Sequence, residues 1–347
     1  MGKRISKCKR YWLVMSLLAG GILFALNGKT AEAKYQYSIQ KKTVTENETY
    51  QVQQEEDQRI VFLFQPKQSG VYIVKVDAKN IGVTSVGIGF QQDGSFATSK
   101  EGGEEYMSLG ESVYCEKGKV CPISVGAGKY IGGAGDAIKS LACNYRFQIV
   151  RTNFRAQKLT LKKGCTLNQK DYGTYTDGED TITINPYVTF RASKTGYYRF
   201  YAKNRMETTV PVLERTSDGS LKYVGSDFSN QMYKLEKGKQ YILNPWMTGT
   251  ANKFLVQYAA KKRTITLDYN YPWKNGSTTW EYDVAKGDKL GVLLPPDPTE
   301  NQFAGNGKTH KKYKFLGWYT EKEGGKKITA KTPNCKKIKK LYAHWKS

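Results

Sequence analysis

The chain has 347 residues, a formal net charge of +24, 39% hydrophobic residues and 25% charged ones. That balance excludes a disordered polyampholyte and a bundle of membrane helices, and the length suits two to three ordinary domains. Aromatics at 13%, with 25 Tyr and 34 Gly, point to short strands joined by tight turns.

The N-terminus has the three-part layout of a secretory signal. Lys3, Arg4, Lys7, Lys9 and Arg10 form a basic start, Tyr11 to Leu26 an apolar run, and Ala31-Glu32-Ala33 a small-residue cleavage site. The apolar run is shorter than the ~20 residues a membrane-spanning helix needs, so residues 1–33 are expected to be removed and the mature chain to begin at Lys34. Cys8 precedes the apolar run, no hydrophobic tail follows Trp345, and no Leu-Pro-x-Thr-Gly sorting motif is present. The expectation is a secreted, extracellular protein with no transmembrane segment after cleavage, held on the cell wall, if at all, without a covalent bond.

The middle of the chain repeats itself. Phe64-Gln65-Pro66-Lys67-Gln68-Ser69-Gly70-Val71-Tyr72 lines up with Phe190-Arg191-Ala192-Ser193-Lys194-Thr195-Gly196-Tyr197-Tyr198. Asp93-Gly94-Ser95 then matches Asp218-Gly219-Ser220, and Cys115-Glu116-Lys117-Gly118-Lys119 matches Leu235-Glu236-Lys237-Gly238-Lys239. Order is kept, and spacing nearly so, the mark of an internal repeat. Asp-Gly-Ser reads as a turn between strands, after Val86–Phe90 in one copy and between Val210–Arg215 and Leu221–Val224 in the other. Gly118 and Gly238 turn the chain into Val120–Val125 and Gln240–Leu243. Tyr198, Phe200 and Ala202 share one strand face, with Tyr197, Arg199 and Tyr201 on the other, which suits a sandwich with one wet side. Residues 34–152 and 153–260 are thus predicted to be two tandem all-β, jelly-roll-like sandwiches. The run Thr-Gly-Tyr-Tyr-Arg-Phe, a strand with Asp-Gly, and Leu-x-x-Gly-x-x-Tyr resembles the bacterial pre-peptidase C-terminal domain. That resemblance implies accessory modules of exported proteins, some of them calcium-binding.

Five cysteines remain after cleavage: Cys115, Cys121, Cys143, Cys165 and Cys335. An exported chain can form disulfides, and an odd count leaves one thiol over. Cys115 and Cys121 flank the turn Glu116-Lys117-Gly118-Lys119, which predicts a bridge across a hairpin. The spacing lacks a Cys-x-x-Cys pair, and neither histidine is near a cysteine in the manner of a zinc site. Glu55-Glu56-Asp57 and Asp177-Gly178-Glu179-Asp180 read as solvated turns, and a hard cation such as calcium is the one metal their carboxylates would suit. No other cofactor is implied.

Residues 261–347 form the last predicted module. Phe315 alternates with Gly317 and Tyr319, and Leu316 with Trp318, the period of a strand. A second strand, Leu341, Ala343 and Trp345, would pack its rings on the first after the Gly324-Gly325 turn. With Ile265-Thr266-Leu267-Asp268-Tyr269, the Lys286-Gly287-Asp288-Lys289-Leu290 turn and Pro295-Pro296-Asp297-Pro298, this segment resembles the Listeria–Bacteroides repeat, or internalin B-repeat. The resemblance implies a small β-grasp-like module of exported surface proteins. Tyr269 to Gly276 and an insertion at roughly 299–310 depart from the family and are expected to loop out.

No catalytic constellation stands out. His310 lies in the insertion, and His344 has Cys335 as its nearest conceivable nucleophile, a pairing better read as accidental. Gly132-Gly133-Ala134-Gly135 lacks the Lys-Ser/Thr of a phosphate loop. Charge is the remaining signal: the mature chain carries about +19, of which +11 lies from Lys261 onward. Lys308, Lys311, Lys312 and Lys314 precede one strand and Lys336, Lys337, Lys339 and Lys340 the next, so eight ammonium groups would crowd one edge. Lysine binds phosphate or sulfate as a point charge, and it equally protects an edge strand. The reading is a non-catalytic binding or adhesion protein for wall polymer, acidic glycan or a host ligand, with no nucleic-acid partner. The alternative is an accessory subunit or orphan tail of an exported hydrolase or peptidase.

Overall fold

In a computed structural model the described residues are all except 1–36, 80–84, 96–97, 102–105, 132–136, 169, 178–179, 203–208, 226–230, 246–252, 272–278, 295–312, 335 and 347. The chain is all-β, and it divides into two compact units. One comprises Met1–Ala156, Gln169–Tyr187 and Glu214–Lys222, the other Gln157–Asn168, Val188–Leu213 and Tyr223–Ser347. The predicted leader, the Gly132–Gly135 run, the Pro295–Pro298 segment, the insertion with His310, and Cys335 lie outside the described residues.

Within the first unit, the described strands of the first sandwich are β1 (Ser38–Val44), β2 (Thr49–Gln54), β3 (Gln58–Phe64), β4 (Gly70–Lys79), β5 (Ser85–Gly89), β6 (Thr98–Glu101), β7 (Tyr106–Cys115), β8 (Cys121–Ile131), β9 (Ala137–Ser140) and β10 (Cys143–Arg151). One sheet has the order β1-β3-β8-β5-β6 with β9 beside β8, and the other the order β2-β10-β4-β7. β1 runs parallel to β3, a pairing that needs a turn back through the other sheet and is invisible to local pattern. β10 shows the period-2 rule plainly: Cys143, Tyr145, Phe147 and Ile149 are buried while Asn144 and Arg146 are exposed. Phe147 stacks on Phe62 of the other sheet, centroids 3.9 Å apart, and burying each ring is worth about 1.5–3 kcal/mol. Val71 and Ile73, on the outer face of β4, are buried as well. The hairpin of β13 (Gly173–Asp177) and β14 (Asp180–Ile184), part of the same unit, accounts for this: Tyr187 just beyond it donates to the carbonyl of Ser112 at 2.6 Å, and Ser112 is the register partner of Ile73.

The second sandwich uses β11 (Gln157–Lys158), β12 (Cys165–Thr166), β15 (Val188–Arg191), β16 (Gly196–Ala202), β17 (Val212–Arg215), β18 (Leu221–Gly225), β19 (Tyr233–Leu235), β20 (Gln240–Leu243) and β21 (Lys253–Ala259). Its sheets run β11-β15-β20-β17-β18 and β12-β21-β16-β19. Apart from β9, which has no counterpart among the described strands, this is the order of the first sandwich, down to the parallel pair β11 and β15. The aligned residues also make the same bonds. Tyr72 donates to the Gln68 carbonyl at 2.8 Å, and Tyr198 to that of Lys194 at 2.7 Å. The Gly118 amide donates to Pro66 O at 2.9 Å, and that of Gly238 to Ala192 O at 2.8 Å. Asp93 accepts from the Ser95 amide at 2.9 Å as Asp218 does from Ser220 at 3.1 Å, closing turns whose glycines, Gly94 and Gly219, have φ of +76° and +88°. Glycine, lacking a Cβ, adopts that conformation at least cost.

The last sheet comprises β22 (Lys262–Asp268), β23 (Thr279–Ala285), β24 (Lys314–Tyr319) and β25 (Lys340–Lys346), with one helical turn, α1 (Leu290–Leu293), between β23 and β24. Its order, β23-β22-β25-β24 with β22 and β25 parallel at the centre, is the β-grasp arrangement. Leu267, Leu341, Ala343 and Trp318 fill the core with Tyr269 and Leu290. Strict alternation fails in β24. A bulge between Phe315 and Gly317 places two residues opposite one, so Phe315 and Trp318 pack into the same core and Leu316 is left exposed. Phe315 lies 5.8 Å from Trp318 and 5.2 Å from Trp345, ring centroid to centroid.

Candidate functional site

Because Leu341 and Ala343 point inward, Tyr342 and His344 of β25 face out of the terminal sheet. Tyr319 of β24 is the register partner of Tyr342, and its ring stacks on the His344 imidazole at 3.9 Å with 8° between the planes. His344 Nε2 is 2.9 Å from the Glu321 carbonyl, which holds the stack in place. Lys340 Nζ lies 4.8 Å from the Tyr342 ring centroid and 2.8 Å from the Asp268 carboxylate of β22. The hydrogen bond to Asp268 raises the Lys340 ammonium above its ordinary pKa, so it stays charged at neutral pH. The outcome is a half-buried row of rings flanked by a cation, a carboxylate and the Thr266 hydroxyl side of β22. Such a face can stack on the apolar side of a sugar ring while its polar rim takes hydroxyl or anionic groups.

Among the described candidate lysines, Lys314 stands apart from the other four. Lys314 pairs with Lys346 at one end of the β24–β25 ribbon, whereas Lys340 lies six residues back along β25, about 20 Å away. Lys336, Lys337 and Lys339 are exposed and lead into the Lys340 end. The antiparallel register separates Lys314 from the Lys336–Lys340 run, which a reading of side-by-side strands could not show. Lys308, Lys311 and Lys312 lie outside the described residues.

Cys115 and Cys121 are both buried, but the turn between them is not a hairpin. β7 and β8 belong to opposite sheets, so residues 116–120 arch over the end of the sandwich. In the structure Cys115, Cys121, Cys143 and Cys165 are thiols. Glu55-Glu56-Asp57 forms the turn from β2 to β3, with the Gln58 amide donating to Glu55 O at 3.3 Å, and Asp177 and Asp180 close the β13–β14 hairpin. Among the described residues no group of three or more His, Cys, Asp or Glu side chains could hold a metal ion, and no helix is long and apolar enough to cross a membrane. A shallow depression of 240 Å³ on the first sandwich is lined by Thr49, Lys75, Asp77, Arg146, Phe147 and Gln148, and the Arg146–Asp77 ion pair at 3.2 Å sits in it.

One group that positions the terminal sheet was missed in the sequence. Arg199 belongs to the strand face predicted to be wet, yet it is 1% exposed. Its guanidinium donates to Gln257 Oε1 at 2.7 Å, to Asp288 Oδ2 at 3.3 Å and to the Asp283 carbonyl. Asp288 also accepts from Gln257 Nε2 at 2.6 Å and from the Ala285 amide at 2.7 Å. Asp283 accepts from Lys262 Nζ at 2.5 Å and from the Met232 amide at 2.8 Å. Within the second unit this network binds β16 and β21 to the β23–α1 turn, so the ring-bearing sheet has a fixed base. An arginine inside a run of tyrosines, Tyr197 to Tyr201, was the available signal.

No family model and no curated protein matches the chain. Solved structures similar to it include the tandem CBM51 modules of a family 98 glycoside hydrolase from Streptococcus pneumoniae, at 12% identity over 60% of this chain and 81% of that one, with a TM-score of 0.19. Tripeptidyl peptidase 2 is similar at 9% identity over 70% of this chain and 27% of its own, TM-score 0.20. The N-terminal tandem CBM22 domain of Xyn10C from Paenibacillus barcinonensis is similar at 12% identity over 57% and 80%, TM-score 0.16. At such TM-scores none of the three assigns a function to this chain.

Proposed function

We propose that the chain is an exported, wall-associated binding protein, non-catalytic, whose terminal module holds a glycan or wall polymer bearing anionic groups. The observation that carries this is the outer row Tyr319, His344, Tyr342 and Lys340 on a rigid four-stranded sheet. Stacked rings supply apolar contact area at little entropic cost, and the exposed Lys336, Lys337 and Lys339 beside them supply salt-sensitive attraction. The Gly-Trp-Tyr-Thr and Leu-Tyr-Ala-x-Trp segments and the β-grasp strand order support kinship with the Listeria–Bacteroides repeat. The two sandwiches, with one strand order and shared turn bonds, are on this reading products of a duplication that serve as a scaffold, in keeping with the pre-peptidase C-terminal likeness.

Titration of residues 34–347 onto purified teichoic-acid-bearing wall polymer tests the reading. Replacing Tyr319 and Tyr342 by Ala together is expected to weaken binding about tenfold, ~1.4 kcal/mol, with the fold intact. Replacing Lys336, Lys337 and Lys339 by Gln is expected to lower affinity at low salt and to flatten its salt dependence. No retention at low salt, or variants that bind like the parent chain, would sink the proposal.

A further inference from the structure

Cys115 closes β7 opposite Gly70, and Cys121 opens β8 opposite Phe64. In the second sandwich the same register positions, opposite Gly196 and Phe190, are held by Leu235 and Tyr241. All four side chains are buried, at 1% exposure or less. One copy therefore closes this end of its core by apolar packing, Leu against Tyr. The other places two small thiols there, and they hydrogen bond to each other. The Arg215 guanidinium, in the same compact unit, bonds to the Cys121 sulfur and donates to the Tyr114 carbonyl at 2.6 Å. Burial pushes the Cys115 thiol up, whereas the hydrogen bond from Cys115 pulls Cys121 down. Cys143, also buried, is pushed to about 12 by burial alone.

We propose that Cys115 and Cys121 are oxidised to a disulfide that staples the two sheets of the first sandwich across the residue 116–120 arch. The oxidant is a small-molecule or protein disulfide. Cys121 thiolate attacks one of its sulfurs and releases a thiolate. Cys115 then attacks the Cys121 sulfur of the mixed disulfide and releases the second. Two thiols lose two electrons, the external disulfide is reduced to two thiols, and the protons pass to them. Since neither sulfur is accessible in the closed sandwich, the exchange takes place before the sheets close.

The test refolds residues 34–347 in a reduced and oxidised glutathione couple, then alkylates the protein in denaturant and maps its peptides. The expected product is two hydrogens lighter, with Cys115 linked to Cys121. Its Tm falls by several degrees in reductant. A Cys115→Leu, Cys121→Tyr variant, carrying the second copy's pair, is expected to lose that reductant sensitivity. Full alkylation of both cysteines after oxidative refolding, or linkage of either to Cys143, Cys165 or Cys335, overturns the proposal. The peptide map of the unaltered chain decides this even where the variant fails to fold.

Discussion

Arg199→Ala is expected to destabilise the second unit by about 3–5 kcal/mol, roughly a fifth or more of an ordinary domain's stability. The change leaves the Asp288 carboxylate, 4% exposed, without its cation and strands Gln257 Oε1 beside a void. The cost comes from that orphaned charge more than from any net worth of the pair, so the direction of rescue is specific. Adding Asp288→Asn to Arg199→Ala removes the charge and is expected to restore part of the loss. Denaturant unfolding followed by tryptophan emission is the measurement, since Trp318 and Trp345 lie in the terminal core. An unfolding midpoint unchanged by Arg199→Ala would show that the network holds nothing.

Gly291→Ala is the second large effect. A Cβ at this position in α1 would lie 2.2 Å from the Thr329 carbonyl oxygen and 2.7 Å from the Ala330 amide nitrogen. Both neighbours are backbone, and the Leu290 amide ties the same turn to Thr332 O at 2.8 Å, so no side chain can swing aside. The segment after β24 must move off α1, at a cost of about 1–3 kcal/mol or more. Gly287, in contrast, has nothing within 4 Å of its Cβ direction but has φ of +90°. Gly287→Asn, a residue that tolerates left-handed backbone, is therefore expected to cost much less. The pair is read by thermal unfolding of the two variants side by side.

Much of the architecture was legible because the strands alternate and the turns carry glycine at positive φ. Tyr198, Phe200 and Ala202 are buried together as their spacing requires, and Gly94, Gly118, Gly219 and Gly238 turn where the repeat placed them. What alternation cannot report is whether the second face of a strand is covered by something distant in sequence. Arg199 has the same outward spacing as Tyr197 and Tyr201, yet the β23–α1 turn lies over it. A single inserted residue undoes the pattern as well: the bulge at Leu316 sends Phe315 and Trp318 to one side. The arch after Cys115 read as a hairpin because a Lys-Gly turn looks the same within a sheet as between two. For the candidate site, the aromatic segments of β24 and β25 were legible as a packed pair, but the outward stack of Tyr319 on His344 depends on that bulge and was not. The lysine runs were visible, but the separation of Lys314 from Lys336–Lys340 was not, since only the antiparallel register reveals it.

The outer row of the terminal sheet is the proposed ligand-contact face. Amide hydrogen exchange of residues 34–347, with and without saturating teichoic-acid-bearing wall polymer, addresses it most directly. The expected result is slowed exchange over Lys314–Tyr319 and Lys340–Lys346, with the two sandwiches unchanged. Protection confined to the sandwiches, or none anywhere under conditions where the polymer is bound, would contradict it.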